Sequence, residues 1–193
     1  AIVGSLILGL YFSWYAAGLA LLSLFIYSFV YTPLKKVNSI AVLVGAIPGA
    51  LPCLIGWAAA YNEDEFSWTG GWILFAIQFL WQFPHFWAIA WVVYDDYKAG
   101  GFSLLPSKTG QSKESAFQIM IYSLAMIPFS LLPWILGWTG EISLIVATIA
   151  STIFFLYSYK LFLSCEMKDA KKLMFASFVY LPIIQFLYVF DKV

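Results

Sequence analysis

Five residues could do chemistry together: Gln78, Gln82, His85, Asp95 and Asp96, all inside Gln78 to Pro106, QFLWQFPHFWAIAWVVYDDYKAGGFSLLP. Gln78, Gln82 and His85 fall at i, i+4 and i+7, which puts them on one face of an α-helix. Asp96 follows His85 by eleven residues, about three turns, and returns to nearly the same stripe. Polar side chains in hydrocarbon cost energy unless they pair or face a cavity, so this stripe is a candidate site wall. Neutral imidazole is a good iron ligand, and Phe83, Phe86, Trp87 and Trp91 could line the apolar slot a haem needs. His85 equally fits a hydrogen-bonded core residue, and such aromatic density is also normal on lipid-facing helices.

The hard carboxylate oxygens of Asp95 and Asp96 suit Mg²⁺, which keeps several waters and bridges to substrate phosphates. Beside Lys98 the same pair also fits a solvated helix end. Lys35 and Lys36 lie in a short connection, where they could neutralise a diphosphate or anchor a helix at the membrane surface. Gly100-Gly101 and Gly110-Gln111-Ser112-Lys113 lack the GxxxxGK[ST] spacing and follow no strand, which excludes a P-loop. A single histidine permits no histidine metal cluster, and no Ser-His-Asp grouping can be formed. Cys53 and Cys165 are isolated, so neither a disulfide framework nor a zinc site is indicated.

The elements that must position these residues are membrane helices. Of 193 residues, 63% are hydrophobic, 20% aromatic and only 10% charged, against about a quarter charged in soluble domains. Several apolar runs reach about 20 residues, enough to cross a hydrocarbon core near 30 Å thick. The expected fold is an all-α, polytopic transmembrane bundle in a lipid bilayer, one domain over residues 1–193, with no nucleic-acid partner. Residues 1–12 read as the end of one span; further spans are expected over 15–31, 39–60, 71–94, 116–137, 142–163 and 173–190. Pro48 and Pro52 should break the 39–60 span, either to line a cavity or simply beside a packing face in which Gly45 and Gly49 let a neighbour approach. Residues 61–70 form an acidic loop with Glu63, Asp64 and Glu65.

If the spans alternate, nine of the ten lysines lie at one end of the bundle and only Lys192 at the other. The positive-inside rule then makes the lysine-rich end, with Asp95 and Asp96, cytoplasmic. The first residue is Ala1 and the first apolar run is too short to span, so the chain is expected to begin partway through a helix. An inner (plasma) membrane location follows from the absence of a transit segment.

WQFPHFW at 81–87, followed by DDYKAGGFSLLP at 95–106, resembles the haem O synthase branch of the UbiA-type intramembrane prenyltransferases. YTPLKK at 31–36 and GAIPGALPCLIGWAA at 45–59 match that branch in the same order. The resemblance implies a nine-helix bundle with about seven helices present here and a central cavity under a cytoplasmic cap. It implies that Asp95 and Asp96 hold Mg²⁺ and the diphosphate of farnesyl diphosphate, that Lys35 and Lys36 grip it, and that Asn38 supports them. His85, Gln78, Gln82 and Tyr97 would contact substrate, with haem B as acceptor and haem O as product for haem-copper oxidase assembly; haem A synthase is an expected partner. The family's first acidic motif, Asn-x-x-Asp-x-x-x-Asp, has no match in the 193 residues and is expected upstream with two more helices. A quinone or chlorin acceptor is the alternative within the enzyme class. A non-catalytic haem-binding subunit or transporter is the alternative outside it, although a transporter should show broken helices in two matching halves.

Overall fold

The computed structural model describes residues 2–35, 37, 39–60 and 67–193. Lys36, Asn38 and the expected acidic loop residues Glu63, Asp64 and Glu65 lie outside the described residues. The chain forms α1 (Ile2–Tyr11), α2 (Trp14–Phe25), a π-helical turn (Ile26–Tyr31), α3 (Thr32–Leu34), α4 (Ala41–Ala59), α5 (Thr69–Val92), α6 (Tyr94–Ala99), α7 (Lys113–Ile135), α8 (Glu141–Ser164) and α9 (Met167–Phe190). Among the described residues, six segments are long and apolar enough to cross a membrane: Trp14–Leu34 and helices α4, α5, α7, α8 and α9. This is the all-α, multi-pass membrane bundle the composition demands.

α5 is the hub. It packs against α4, which carries α2 and α1 outward, and against α7 and α9, which close with α8 into a second group. The helices of that second group meet along narrow stripes of small and apolar residues: Ala116, Ile119, Ser123, Met126 and Ser130 on α7, and Ser143, Ala147, Ser151, Phe154 and Ser158 on α8. Small side chains let membrane helices approach closely. Each buried hydroxyl still needs a partner, and Ser123, Ser130 and Ser151 donate to the carbonyl one turn back. Tyr180 of α9 bonds Ser130 Oγ, and Tyr188 donates to the Ser130 carbonyl at 2.6 Å, which ties α9 to α7.

α4 does not break at its prolines; it runs unbroken from Ala41 to Ala59 with Pro48 and Pro52 inside. Pro52 cannot donate to the carbonyl of Pro48, and an orphan carbonyl in hydrocarbon would favour a break. Ser23 of α2 supplies the missing hydrogen, its Oγ donating to Pro48 O at 3.2 Å.

The chain alternates direction, so Lys35 and the connections 93–112 and 165–166 share one end. Lys35 Nζ lies 5.7 Å from the Phe102 ring centre, and Lys113 Nζ lies 4.8 Å from that of Phe162. At the opposite end Thr139 and Lys192 form an antiparallel bridge. There Asp191 takes the Gly140 N–H on its carbonyl at 2.9 Å and the Ser143 N–H on Oδ2 at 2.6 Å. A carboxylate at the start of α8 suits the positive end of the helix dipole.

Candidate active site

A cavity of about 550 Å³ lies between α2, the π-helical turn, α4, α5 and α6. Ser23, Tyr27, Tyr31, Gly49, Gln82 and Tyr97 are among its lining residues. Its size suits a small-molecule ligand. The π-helical turn follows directly on α2, so Tyr27 and Tyr31 reach the wall one turn apart, their rings 5.4 Å from centre to centre. Close approach is allowed by glycine. A Cβ on Gly45 would stand 2.7 Å from the Tyr31 ring, and one on Gly49 would stand 2.0 Å from Gln82 Oε1. The spacing of Gly45 and Gly49 thus admits two side chains to α4, one of them the buried glutamine.

The polar stripe of α5 is split between two seams. Gln82 faces α4 and the cavity, its Nε2 donating to Ala46 O at 3.1 Å and Gln78 O at 3.2 Å. His85 turns towards α9, where Nδ1 meets Ser177 Oγ at 2.7 Å and the ring stacks on Trp81 with centres 4.2 Å apart. Gln78 joins the same seam, accepting from Gln185 Nε2 at 3.2 Å. The expectation of one shared wall is corrected, and the reason is angular. Gln82 and His85, three residues apart, differ by about 60° around the helix, enough to send them to different neighbours. His85 is nevertheless close to the cavity, because Phe86, a cavity-lining residue, lies 5.2 Å away ring to ring.

Asp96 does not continue the stripe. α5 ends at Val92, and Val93 at φ −107°, ψ 31° separates it from α6. Asp95 and Asp96 are exposed on the first turn of α6, and neither makes an ion pair among the described residues. Tyr97, next in sequence, lines the cavity and meets Phe102 edge to face at 6.2 Å. Lys35 Nζ lies over the same Phe102 ring and 5.8 Å from the Tyr31 ring centre. The acidic helix and the lysine of the α2–α4 connection therefore meet at one end of the cavity. Two adjacent carboxylates free of ion pairs fit Mg²⁺, which takes one or two carboxylates and completes its shell with water and phosphate. No group of three or more metal-ligating residues occurs among the described residues.

The segment after α6 is folded back and pinned. Gln111 Nε2 donates to Trp91 O at 2.8 Å, Ser115 Oγ to Gly110 O at 2.7 Å, and Ser107 Oγ to Glu114 Oε2 at 2.5 Å. Leu105 is buried and Leu104 reaches the cavity. Gly110 is the keystone, at φ +71° and so close to Tyr94 that a Cβ would sit 2.3 Å from its hydroxyl. Gly110→Ala is expected to cost about 1–3 kcal/mol from backbone strain alone. Thermal unfolding of the purified protein reads this as a lower Tm, and an unchanged Tm would contradict the assignment.

Of the aromatics expected to line a slot, Phe86 lines the cavity, whereas Phe83, Trp87 and Trp91 are buried in the helix-packing core; Tyr27, Tyr31 and Ser23 were not singled out from the sequence as binding residues. Tyr31 had one available signal, the YTPLKK run that also carries Lys35.

A bundle of membrane-length helices with a cavity between them, and with two adjacent carboxylates and a lysine next to its lining residues Tyr97 and Tyr31, is the arrangement expected of an intramembrane prenyltransferase. Residues 1–181 match the UbiA prenyltransferase family, and the chain belongs to that family. It is 50% identical over 192 residues to a protein named protoheme IX farnesyltransferase from Cytophaga hutchinsonii, an alignment covering 100% of this chain and 66% of that protein. It is 45% identical over 177 residues to the protein of the same name from Flavobacterium psychrophilum, covering 89% of this chain and 57% of the relative. The like-named protein of Christiangramia forsetii is 45% identical over 179 residues, again 89% and 57%. The chain thus spans under two thirds of the length of these curated relatives. No solved structure matches it.

Proposed function

We propose that this chain forms most of a protohaem IX farnesyltransferase, which moves the farnesyl group of farnesyl diphosphate to a vinyl group of haem B to give haem O. The observation that carries the reading is the cavity of about 550 Å³ with Tyr97 and the Asp95–Asp96 helix at the same end as Lys35. The names of the relatives support the choice of haem as acceptor.

In this reading Lys35, with Lys36 and Asn38 beside it in sequence, holds the diphosphate, and Asp95 and Asp96 hold Mg²⁺. Bound there, Mg²⁺ would offset the negative charge that grows on the diphosphate as the allylic C–O bond breaks. Lys35 adds a fixed positive charge at the same end. The apolar wall shields the allylic cation from water until the vinyl carbon attacks it. The new cation on the former vinyl group takes hydroxide from water and releases a proton, so haem B, farnesyl diphosphate and water become haem O, diphosphate and a proton. Gln82 and Tyr97 position substrate from the cavity wall. His85 and Gln78 act on the acceptor from the α5–α9 seam, behind Phe86. The lysine-rich end faces the cytoplasm of an inner membrane, in keeping with the positive-inside rule, and haem O passes on to haem A synthase.

The test is mass spectrometry of haem extracted after incubation of the full-length protein with haem B, farnesyl diphosphate and Mg²⁺. The expected product has the mass of haem B plus a farnesyl group plus one hydroxyl, the proton of the added water having been released. Recovery of unmodified haem B while a quinone is prenylated would keep the family and overturn the acceptor. His85→Ala is expected to weaken haem affinity in the same preparation; unchanged affinity and product would assign His85 to helix packing alone.

A further inference from the structure

A second groove lies outside the α4–α5–α6 cavity, on the outer face of the α8–α9 pair. It has a volume of about 600 Å³, and its lining runs from Tyr157 and Lys172 at one end to Val146 and Ile183 at the other. Apart from Lys172 and the Tyr hydroxyls, that lining is apolar. Ala150 and Ala176 give it depth, and Phe154 and Tyr180, stacked with centres 5.0 Å apart, form its floor. Its rim is exposed, with Phe175 62%, Val179 59% and Ile149 54% accessible.

Two physical facts identify what fits. From Lys172 to Ile183 is eleven residues, which at 1.5 Å each gives about 16 Å. That is about half of a hydrocarbon core near 30 Å thick, so the groove runs the depth of one leaflet and no further. Its cation stands at the outer end of that leaflet, where a lysine head extends to the phosphate level while its stem lies along apolar surface. The neighbouring charges are already engaged: Lys168 pairs with Glu166 at 2.6 Å, and Lys160 lies 3.7 Å from the buried Asp169. Lys171 and Lys172 make no ion pair among the described residues.

We propose that the α8–α9 groove is a binding site for one anionic phospholipid of the leaflet on the lysine-rich side. Its phosphate is held by Lys172, with Lys171 adjacent in sequence, and one acyl chain lies over Ala176, Ala150 and Phe154. The lipid's negative charge selects it, because a zwitterionic lipid of the same chains fills the groove but brings its own cation to Lys172. The site is independent of the farnesyl transfer reading.

Native mass spectrometry of the purified protein, offered equal amounts of phosphatidylglycerol and phosphatidylcholine with identical chains, tests the proposal. The wild type should retain one phosphatidylglycerol at least tenfold more than phosphatidylcholine. Lys172→Gln should remove that preference, and Ala176→Phe, or Ala150→Leu if the first does not fold, should remove retention of both lipids. Lys108→Gln, on a connection away from the groove, should leave the preference intact. Equal retention by the wild type, or an unchanged preference in Lys172→Gln, overturns the proposal. So does a dimer that Ala176→Phe dissociates and lipid does not affect, since a second copy of the chain would then own the groove. Retention displaced by inorganic phosphate alone would also overturn it, because a headgroup without its chain would be enough.

Discussion

Asp96→Asn is expected to lower prenyl transfer by at least about 10²–10³-fold, the usual cost of removing one group that stabilises charge developing in a transition state. The change keeps the shape and exposure of the side chain and deletes one of two adjacent carboxylates on α6. If Asp95 and Asp96 hold Mg²⁺ as proposed, the variant keeps one of the two carboxylates of α6 and would bind the ion more weakly. Turnover measured against Mg²⁺ concentration should show the loss with haem affinity retained, because in the proposed reading Asp96 serves the donor diphosphate and not the acceptor. Asp95→Asn measured in parallel ranks the two carboxylates. Wild-type turnover in both variants would sink the metal assignment, whatever the acceptor proves to be.

Gly49→Val is the second large effect, and it acts through shape. The added Cβ would enter at 2.0 Å from Gln82 Oε1, inside any van der Waals limit. Gln82 is only 2% exposed and is held by its bond to Ala46 O, so its amide must either leave the wall or push α4 from α5. Overpacking of this kind costs about 1–3 kcal/mol, and the displaced amide or helix alters the cavity volume. A lower Tm together with about a tenfold rise in the KM for the prenyl donor is expected. Gly56→Val is the matched control, since Gly56 lies in the same helix and a Cβ added there would meet nothing within 4 Å. Equal behaviour of the two variants would mean that β-branching in α4, and not the contact with Gln82, sets the effect.

The spans were legible because hydrocarbon thickness dictates their length. Each predicted span has its helix, and α5, α7, α8 and α9 end within a few residues of the expected places, whereas α6 was not expected. The α4 prolines misled for a specific reason: whether a proline breaks a membrane helix depends on who takes the orphan carbonyl, and Ser23 is twenty-five residues away from the Pro48 that it satisfies. The stripe of Gln78, Gln82 and His85 was legible as polar, yet not as two seams, because sequence spacing carries no information on where α4 and α9 dock around α5. The stop at Val93 carries no glycine or proline to announce it, so the register from His85 to Asp96 looked continuous. Tyr27 was hidden by composition; in a chain with 20% aromatic residues, one more gives no signal. Lys35 and the aspartates were readable because charge is scarce here, and each charged residue at a helix end stands out.

The two ends of the α7–α8–α9 group are built on different terms. At the end away from the lysines, Asp191 accepts from Gly140 and Ser143, Val193 N donates to Trp138 O at 3.1 Å, and Thr139 bridges Lys192. These bonds link the end of α9 to the turn between α7 and α8 like a rivet. At the lysine-rich end α8 and α9 are joined again, by the connection 165–166 and by Ser164 Oγ donating to Asp169 Oδ2 at 2.8 Å, so this pair is fastened at both ends. That doubly fastened pair is the support against which α7 receives the segment pinned behind α6.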